Sequence, residues 1–223
     1  DVVRAGSVGE AAEYFHADGL ALVRETLGLR PPFPVDHPTY LLLELSRTTQ
    51  DDVADLLDRQ GHRVADATID AGPASRLWAY REAHTEAVSA AAASGGAPAV
   101  KVDVSVPLTR HDSFESELRT VLTARFPTAQ VVTYGHLAEG NSHVNLLGLP
   151  EDAAEDATDV VLRLVVQYGG SISAEHGIGR AKQQWLALAR SPADIAAMQA
   201  IKRALDPQGL LSPGVLLPPA TPE

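Results

Sequence analysis

The spacing of apolar residues along the chain predicts helices and strands that alternate. An apolar residue at every third or fourth position is typical of a helix that buries one face, whereas alternation or a short apolar run is typical of a strand. The first pattern predicts helices over 7–27, 51–60, 75–93, 112–126, 151–167, 183–189 and 192–205. The second predicts strands over 40–45, 63–70, 100–106, 130–137 and 142–149.

The last two predicted strands flank a short polar segment that contains Gly140 and Asn141. These residues tolerate the positive φ of a tight turn, so the segment predicts a β-hairpin with Glu139-Gly140 at its centre. Strands joined by a tight turn are antiparallel. We therefore predict an α+β fold: a mainly antiparallel sheet with helices packed on one face in ferredoxin-like plaits, and a C-terminal helical segment.

The predicted hairpin places four functional side chains on one face of the sheet. With the turn centred on Glu139-Gly140, His136 lies directly opposite His143, and Tyr134 lies opposite Asn145. Residues two apart in a strand share a face. Directly opposed residues have Cβ atoms ~5 Å apart, a distance at which two imidazoles can bind one metal ion.

The composition narrows the classes of function. The 223 residues contain no cysteine, and 29 acidic residues outnumber 18 basic ones for a net charge of -11. This balance argues against nucleic acid as a partner. Because the sequence has neither an apolar run of ~20 residues nor a signal sequence, we expect a cytoplasmic protein.

Glu175 is the candidate third metal ligand because it lies in a glycine-bracketed loop that can approach the sheet. Two histidines and a carboxylate suit a divalent metal, Zn²⁺ first and Mn²⁺ or Fe²⁺ as alternatives. Three protein ligands leave a position open for substrate, which is typical of a catalytic metal. The spacing alone also allows surface histidines without a metal and a Glu175 that caps the following helix.

His176, next to Glu175, is the candidate general base. The unperturbed pKa of histidine suits proton abstraction near neutral pH. A loop histidine bonded to backbone is the alternative.

Three further side chains could bind a carboxylate. Arg81 and Thr85 lie one helical turn apart, and Lys101 lies on the polar face of a strand. Arginine binds a carboxylate through its planar fork, and lysine binds it as a point charge. For each residue taken singly, composition and pattern alone favour the alternative of solvated surface charge.

Two blocks of the sequence closely resemble a known family. Tyr134-Gly-His-Leu-Ala-Glu-Gly-Asn-Ser-His-Val-Asn145 and Gly169-Gly-Ser-Ile-Ser-Ala-Glu-His-Gly-Ile-Gly179 are similar to signature blocks of FAD-linked D-2-hydroxyacid dehydrogenases of the vanillyl-alcohol-oxidase superfamily. These include D-lactate, glycolate and D-2-hydroxyglutarate dehydrogenases. Three shorter segments occur in the family's order: 77–82, 101–107 and 206–214.

The resemblance implies a role for each candidate residue. His136, His143 and Glu175 match the metal ligands, and His176 matches the catalytic base. The residues that match substrate-binding positions are Arg81, Thr85, Lys101 and Asn145. Hydride would pass from C2 of a D-2-hydroxy acid to FAD while His176 removes the hydroxyl proton.

The resemblance also implies the organisation of the protein. Nothing in the sequence resembles the family's glycine-rich FAD cradle, so residues 1–223 are expected to be the C-terminal substrate-binding domain, with FAD bound mainly by a domain outside this chain. The expected partners are a small D-2-hydroxy acid, the FAD-binding domain and a second copy in a homodimer. The alternatives are a flavin-free metallohydrolase and a non-catalytic carboxylate-binding module.

Overall fold

The protein forms an α+β fold around one five-stranded antiparallel sheet with the strand order β2-β1-β4-β5-β3. The structure, a computed structural model, describes residues 9–46, 50–61, 63–70 and 75–217. The strands are β1 (Gly9–His16), β2 (Thr39–Leu45), β3 (Val100–Ser105), β4 (Gln130–His136) and β5 (Asn141–Leu147). The helices in these residues are α1 (Ala17–Leu27), α2 (Gln50–Gln60), α3 (Ser75–Glu82), α4 (His84–Gly95), α5 (His111–Arg125), α6 (Ala154–Gln167), α7 (Leu186–Ala189) and α8 (Pro192–Leu205). The predicted α+β class is confirmed.

The second half of the sheet is a ferredoxin-like plait. Its elements follow in the order β3-α5-β4-β5-α6, and β5 lies between β3 and β4. The chain then returns beside β3, where Ser171 forms a single antiparallel bridge with Ser105 in place of a fourth strand. β1 pairs with the free edge of β4, and β2 pairs with β1.

Helices cover both faces of the sheet. On one face α5 and α6 bury a core that includes Phe114, Leu118, Val161 and Val165. On the other, α1 and α4 cover the apolar part of the sheet around Val132. The prediction that helices pack on one face of the sheet holds only for the plait. The second face is apolar at one end and polar at the other, and the helices of the described residues leave its polar end open for a site.

The predicted helix over 7–27 is wrong in its first half, where β1 precedes α1. Both faces of β1 are buried, as Glu13, Tyr14 and Phe15 are each at most 5% exposed. A strand buried on both faces shows no alternation, and its apolar residues continue into α1 without a turn residue. Residues 7 and 8 lie outside the described part of the chain.

Two other predicted elements differ. The helix predicted over 75–93 is interrupted at Ala83, which separates α3 from α4. Residues 63–70 form no strand and are mostly exposed. The alternation of apolar and polar residues in that segment does not indicate a strand, because no described strand runs alongside it. None of the described helices combines the length and the hydropathy needed to cross a membrane.

Candidate metal and substrate site

The hairpin register differs from the predicted one by two residues. Tyr134 pairs with His143, and Val132 pairs with Asn145. The strands are connected by a 3-10 turn at Leu137–Glu139 that ends at Gly140 with φ +65°. A shift of two residues preserves the face to which each side chain points. The predicted opposition of His136 and His143 is therefore wrong, whereas their shared face is retained.

His136, His143 and Glu175 come together at the polar end of this face. The two imidazole centroids are 5.3 Å apart. Glu175 Oε1 lies 3.1 Å from His136 Nε2 and 4.0 Å from His143 Nε2. One donor atom from each residue lies within 4.8 Å of the others, so the three could hold one metal ion. Two imidazole nitrogens and a carboxylate oxygen are a donor set that divalent Zn²⁺, Mn²⁺ and Fe²⁺ accept.

Two buried carboxylates that the sequence analysis missed lie beside the Nδ1 atoms of the two histidines. Glu13 Oε1 lies 2.8 Å from His136 Nδ1, and Asp103 Oδ1 lies 3.4 Å from His143 Nδ1. Glu13 and Asp103 are 4% and 5% exposed. Carboxylates beside the outer nitrogen of a ligating histidine are typical of metal sites, because they fix the ring and its tautomer. Both Nε2 atoms are thereby directed at Glu175, and the residues present fit a metal.

Asp103 also positions the loop that carries Glu175. Its Oδ2 accepts a hydrogen bond from the backbone N–H of Glu175 at 2.8 Å. Burial alone would raise the pKa of Asp103, but the neighbouring His143 ring and the hydrogen bond from the Glu175 backbone outweigh burial and hold that pKa well below its ordinary value. The Asn141 side-chain amide donates to Glu175 Oε1 at 2.5 Å. Backbone and side chain of Glu175 are thus both held by the sheet.

His176 is next to this cluster and open to solvent. Its side chain is 73% exposed, and its Nδ1 lies 4.0 Å from Asp103 Oδ2. The loop bends away after it at Gly177, whose φ is +71°. Its ring is therefore exposed next to Asp103, the residue that contacts both His143 and the Glu175 backbone.

Arg81 and Thr85 converge on Tyr134. The Nε of Arg81 donates to Glu13 Oε2 at 2.8 Å, and its guanidinium lies 4.8 Å from the centroid of the Tyr134 ring. Thr85 Oγ1 lies 3.1 Å from the Tyr134 hydroxyl. The same ring is 5.2 Å from the His143 ring. Tyr134 therefore connects the candidate carboxylate-binding residues to the candidate metal ligands.

Lys101 and Asn145 pair with each other further along the same face. Lys101 is exposed and donates to Ser89 Oγ at 2.9 Å. Asn145 is buried, and its amide nitrogen donates to the backbone oxygens of His143 at 3.1 Å and Val132 at 3.3 Å. The amide nitrogen of Asn145 is thus bonded to the sheet, while the Lys101 ammonium reaches only a hydroxyl that solvent shares.

A carboxylate inside an apolar strand is the signal that could have identified Asp103 from sequence, since such a group is rarely buried unless it is paired. It lies between Val102 and Val104. Glu13 gives no comparable signal, because its segment has the spacing of a helix.

Comparison with known proteins gives a consistent picture. Residues 1–216 match the family profile described as FAD linked oxidases, C-terminal domain. The chain is 33% identical to a D-2-hydroxyglutarate dehydrogenase of Stutzerimonas stutzeri, over 92% of this chain and 46% of that protein. It is 35% identical to a D-2-hydroxyglutarate dehydrogenase of Xanthomonas citri pv. viticola, over 93% and 45%. A mitochondrial D-2-hydroxyglutarate dehydrogenase of Rattus norvegicus is 32% identical, over 96% and 40%.

The chain therefore spans less than half the length of these curated relatives. The family match covers the sheet, all the candidate ligands and the candidate base. Since that match extends over nearly the whole sequence, the chain belongs to the family of C-terminal domains of FAD linked oxidases.

Proposed function

We propose that this chain is the substrate- and metal-binding half of an FAD-dependent dehydrogenase that oxidises a D-2-hydroxy acid to the 2-oxo acid. The observation that carries the proposal is the position of the His136, His143 and Glu175 donor atoms, within 4.8 Å of one another and next to the Tyr134 ring on which Arg81 lies. Binding a hydroxy acid requires two groups: a metal at the three donor atoms for its hydroxyl oxygen, and Arg81 for its carboxylate. The names of the relatives support the same class of substrate.

In this proposal the donor atoms of His136, His143 and Glu175 hold a divalent metal, Zn²⁺ first. When bound, the metal supplies Lewis acidity toward the substrate oxygens, and FAD, held mainly by a domain outside this chain, supplies the hydride acceptor. Every other task falls to protein side chains around the cluster.

The substrate carboxylate is bound by cations in a protein of net charge -11. Arg81 supplies a planar fork whose direction is fixed by its bond to Glu13. Thr85 and Lys101 add a hydroxyl and a point charge, and Asn145 holds the neighbouring backbone of His143 in place. Arg81 and Lys101, together with a bound metal ion, would attract an acid that the overall charge would repel.

His176 accepts the proton of the 2-hydroxyl. Its Nδ1 lies 4.0 Å from Asp103 Oδ2, and the carboxylate would stabilise the imidazolium that forms when the ring takes the proton. Because the ring is exposed in this chain, the water around it has to be displaced by substrate or by the flavin domain before the proton is transferred.

The test uses the full-length protein in which this chain is joined to its flavin domain. A panel of D-2-hydroxy acids, D-2-hydroxyglutarate first, is mixed with the protein without oxygen, and flavin absorbance and bound metal are measured. We expect flavin bleaching by at least one D acid, none by its L enantiomer, and one divalent metal ion for each chain.

Two outcomes would contradict the proposal. Hydrolysis of an ester or amide by the isolated chain without flavin would indicate a metallohydrolase. Acid binding without bleaching would indicate a non-catalytic carboxylate-binding module. The cytoplasmic location and the homodimer stay predictions, to be checked by fractionation and by light scattering.

A further inference from the structure

The two carboxylate oxygens of Glu13 contact two residues for which different roles are proposed. Its side chain is 4% exposed in the middle of β1. Its Oε1 lies 2.8 Å from His136 Nδ1, and its Oε2 lies 2.8 Å from Arg81 Nε. Each carboxylate oxygen thus has its own partner, one a candidate metal ligand and the other a candidate carboxylate-binding group.

Only a residue that accepts at both ends satisfies this geometry. Arginine Nε carries a hydrogen and donates in every state that it adopts in proteins, so Oε2 must accept. A carboxylate accepts through both oxygens, and Oε1 therefore favours a hydrogen on His136 Nδ1. A neutral imidazole with its hydrogen on Nδ1 has its lone pair on Nε2, where a metal would bind. Without a metal, Glu175 Oε1 at 3.1 Å could accept a hydrogen from Nε2 instead, so the shorter contact of Nδ1 with Glu13 decides between the two tautomers.

We infer that Glu13 is a positioning residue that keeps His136 in the Nδ1-protonated tautomer and links Arg81 to the metal site. The inference rests on the metal site of the proposed function and adds the requirement for two acceptors at position 13. Neither resemblance nor spacing indicates this residue, since it lies over 120 positions from His136 in the sequence.

The substitution Glu13→Gln tests the requirement, because glutamine has nearly the same shape and a single acceptor oxygen. If that oxygen turns to Arg81, the amide NH₂ faces His136 Nδ1, and the imidazole hydrogen moves to Nε2, where a metal would bind. We expect the Zn²⁺ affinity of the 223-residue chain to fall by ~10–100-fold, the range typical when a metal-ligating histidine loses the acceptor bonded to its other nitrogen.

A second substitution is expected to reverse the first. In the Glu13→Gln, Arg81→Met double variant no guanidinium competes for the amide oxygen, which is free to accept from His136 Nδ1. Zn²⁺ affinity is then expected to recover to within roughly threefold of that of the unsubstituted chain, since His136 Nδ1 again has an acceptor. The matched control is Arg125→Met in the Glu13→Gln background, because Arg125 pairs with the exposed Asp156 at 2.8 Å and should restore nothing.

Zn²⁺ affinity is measured by competition with a chelating dye, and the His136 tautomer by ¹⁵N imidazole shifts in metal-free protein. A role limited to folding would lower the unfolding temperature without changing the tautomer and would not be reversed by a second substitution. A double variant that binds Zn²⁺ no better than Glu13→Gln alone would overturn the inference, as would an unchanged affinity in the single variant.

The tautomer measurement separates this inference from the proposed function. If the unsubstituted chain binds no Zn²⁺, the proposed metal site fails, and the hydrogen on His136 still decides the role of Glu13. If Glu13→Gln alone does not fold, the double variant decides: Nδ1-protonated His136 supports the inference, and Nε2-protonated His136 overturns it.

Discussion

The carboxylate of Asp103 accepts a hydrogen bond from the backbone N–H of Glu175 at 2.8 Å, across 72 positions of sequence. Its other oxygen lies 3.4 Å from His143 Nδ1. One buried strand residue therefore orients a candidate ligand from β5 and a candidate ligand from the loop after α6. The bond also fixes the backbone next to His176, the candidate base.

We predict that Asp103→Asn lowers Zn²⁺ affinity by ~10–100-fold, since asparagine has one acceptor oxygen where Asp103 turns one oxygen to the Glu175 N–H and the other to His143 Nδ1. Chelator competition on the 223-residue chain measures the change. Asp159→Asn is the control, because Asp159 pairs with Arg163 on the surface. Equal Zn²⁺ affinity in the two variants would show that Asp103 does not organise the site.

A second prediction separates the metal ligands from the base. In the full-length protein, His143→Ala should lose metal because it removes a donor atom. His176→Ala should keep metal and slow flavin reduction by ~10²–10⁴-fold, the usual contribution of a general base. Metal analysis and anaerobic stopped-flow absorbance measure the two effects. Metal loss in His176→Ala would mean that the two roles are reversed.

The acid stability of the domain should depend on Glu115, on the face of the sheet opposite the site. This carboxylate is 6% exposed and accepts hydrogen bonds from Tyr14, Ser142 and Thr133, each at 2.8 Å. Burial alone would raise its pKa, but the nearby His16 ring and the Tyr14 hydroxyl outweigh burial and lower the pKa from 4.5 to about 2.

A carboxyl whose pKa is lower in the folded state binds fewer protons there, so acid favours unfolding. The stabilisation by Glu115 is complete above its unfolded pKa of 4.5 and is lost as the pH falls toward about 2. Its size is on the order of 3 kcal/mol, at ~1.4 kcal/mol for each pKa unit. Urea unfolding at several acidic pH values should show a shallower pH dependence for Glu115→Gln. Glu117→Gln, on the same helix and exposed, should keep the original dependence.

Gly135 allows the two hairpin strands to approach each other beside the site. A Cβ at this position would overlap the backbone carbonyl of Asn141 and touch the Tyr14 ring. We predict that Gly135→Ala destabilises the fold by roughly 1–3 kcal/mol and weakens Zn²⁺ binding, because Asn141 holds Glu175. Gly95→Ala, in open space within α4, should instead be neutral or stabilising by up to ~1 kcal/mol. Urea unfolding of both variants is the measurement, and equal stabilities would contradict the prediction.

The sequence predicted the shared face of His136 and His143 because a strand has a period of two, and a register error of two leaves that face unchanged. It did not predict the register itself. The connection uses a 3-10 turn at Leu137–Glu139, which a centre placed at Glu139-Gly140 does not include. The roles implied by the resemblance for Glu175 and His176 remain predictions, although the structure brings Glu175 beside the histidines and His176 beside Asp103.

The contacts of Glu13 and Asp103 could not be predicted from local pattern, because their partners are distant in sequence. Glu13 belongs to a strand buried on both faces, whose spacing resembles that of the following helix. Asp103 alternates with valines in β3, yet nothing within that strand indicates a contact with Glu175. Pairing between distant segments is decided by the packing of the whole sheet, and periodicity describes one segment at a time.

The return of the chain to the sheet at Ser171 affects how Glu175 and His176 can separate from the histidine pair. Ser105 and Ser171 exchange two backbone hydrogen bonds, at 2.8 and 3.1 Å, and Lys182 ties the loop to the carbonyl of Asp103. If these bonds open together with those of Glu175 to Asp103 and Asn141, Glu175 and His176 leave as a unit, while the histidine pair stays on the hairpin. Amide exchange at Ser105, Ser171 and Glu175 should therefore report how often the site is disassembled without unfolding the domain.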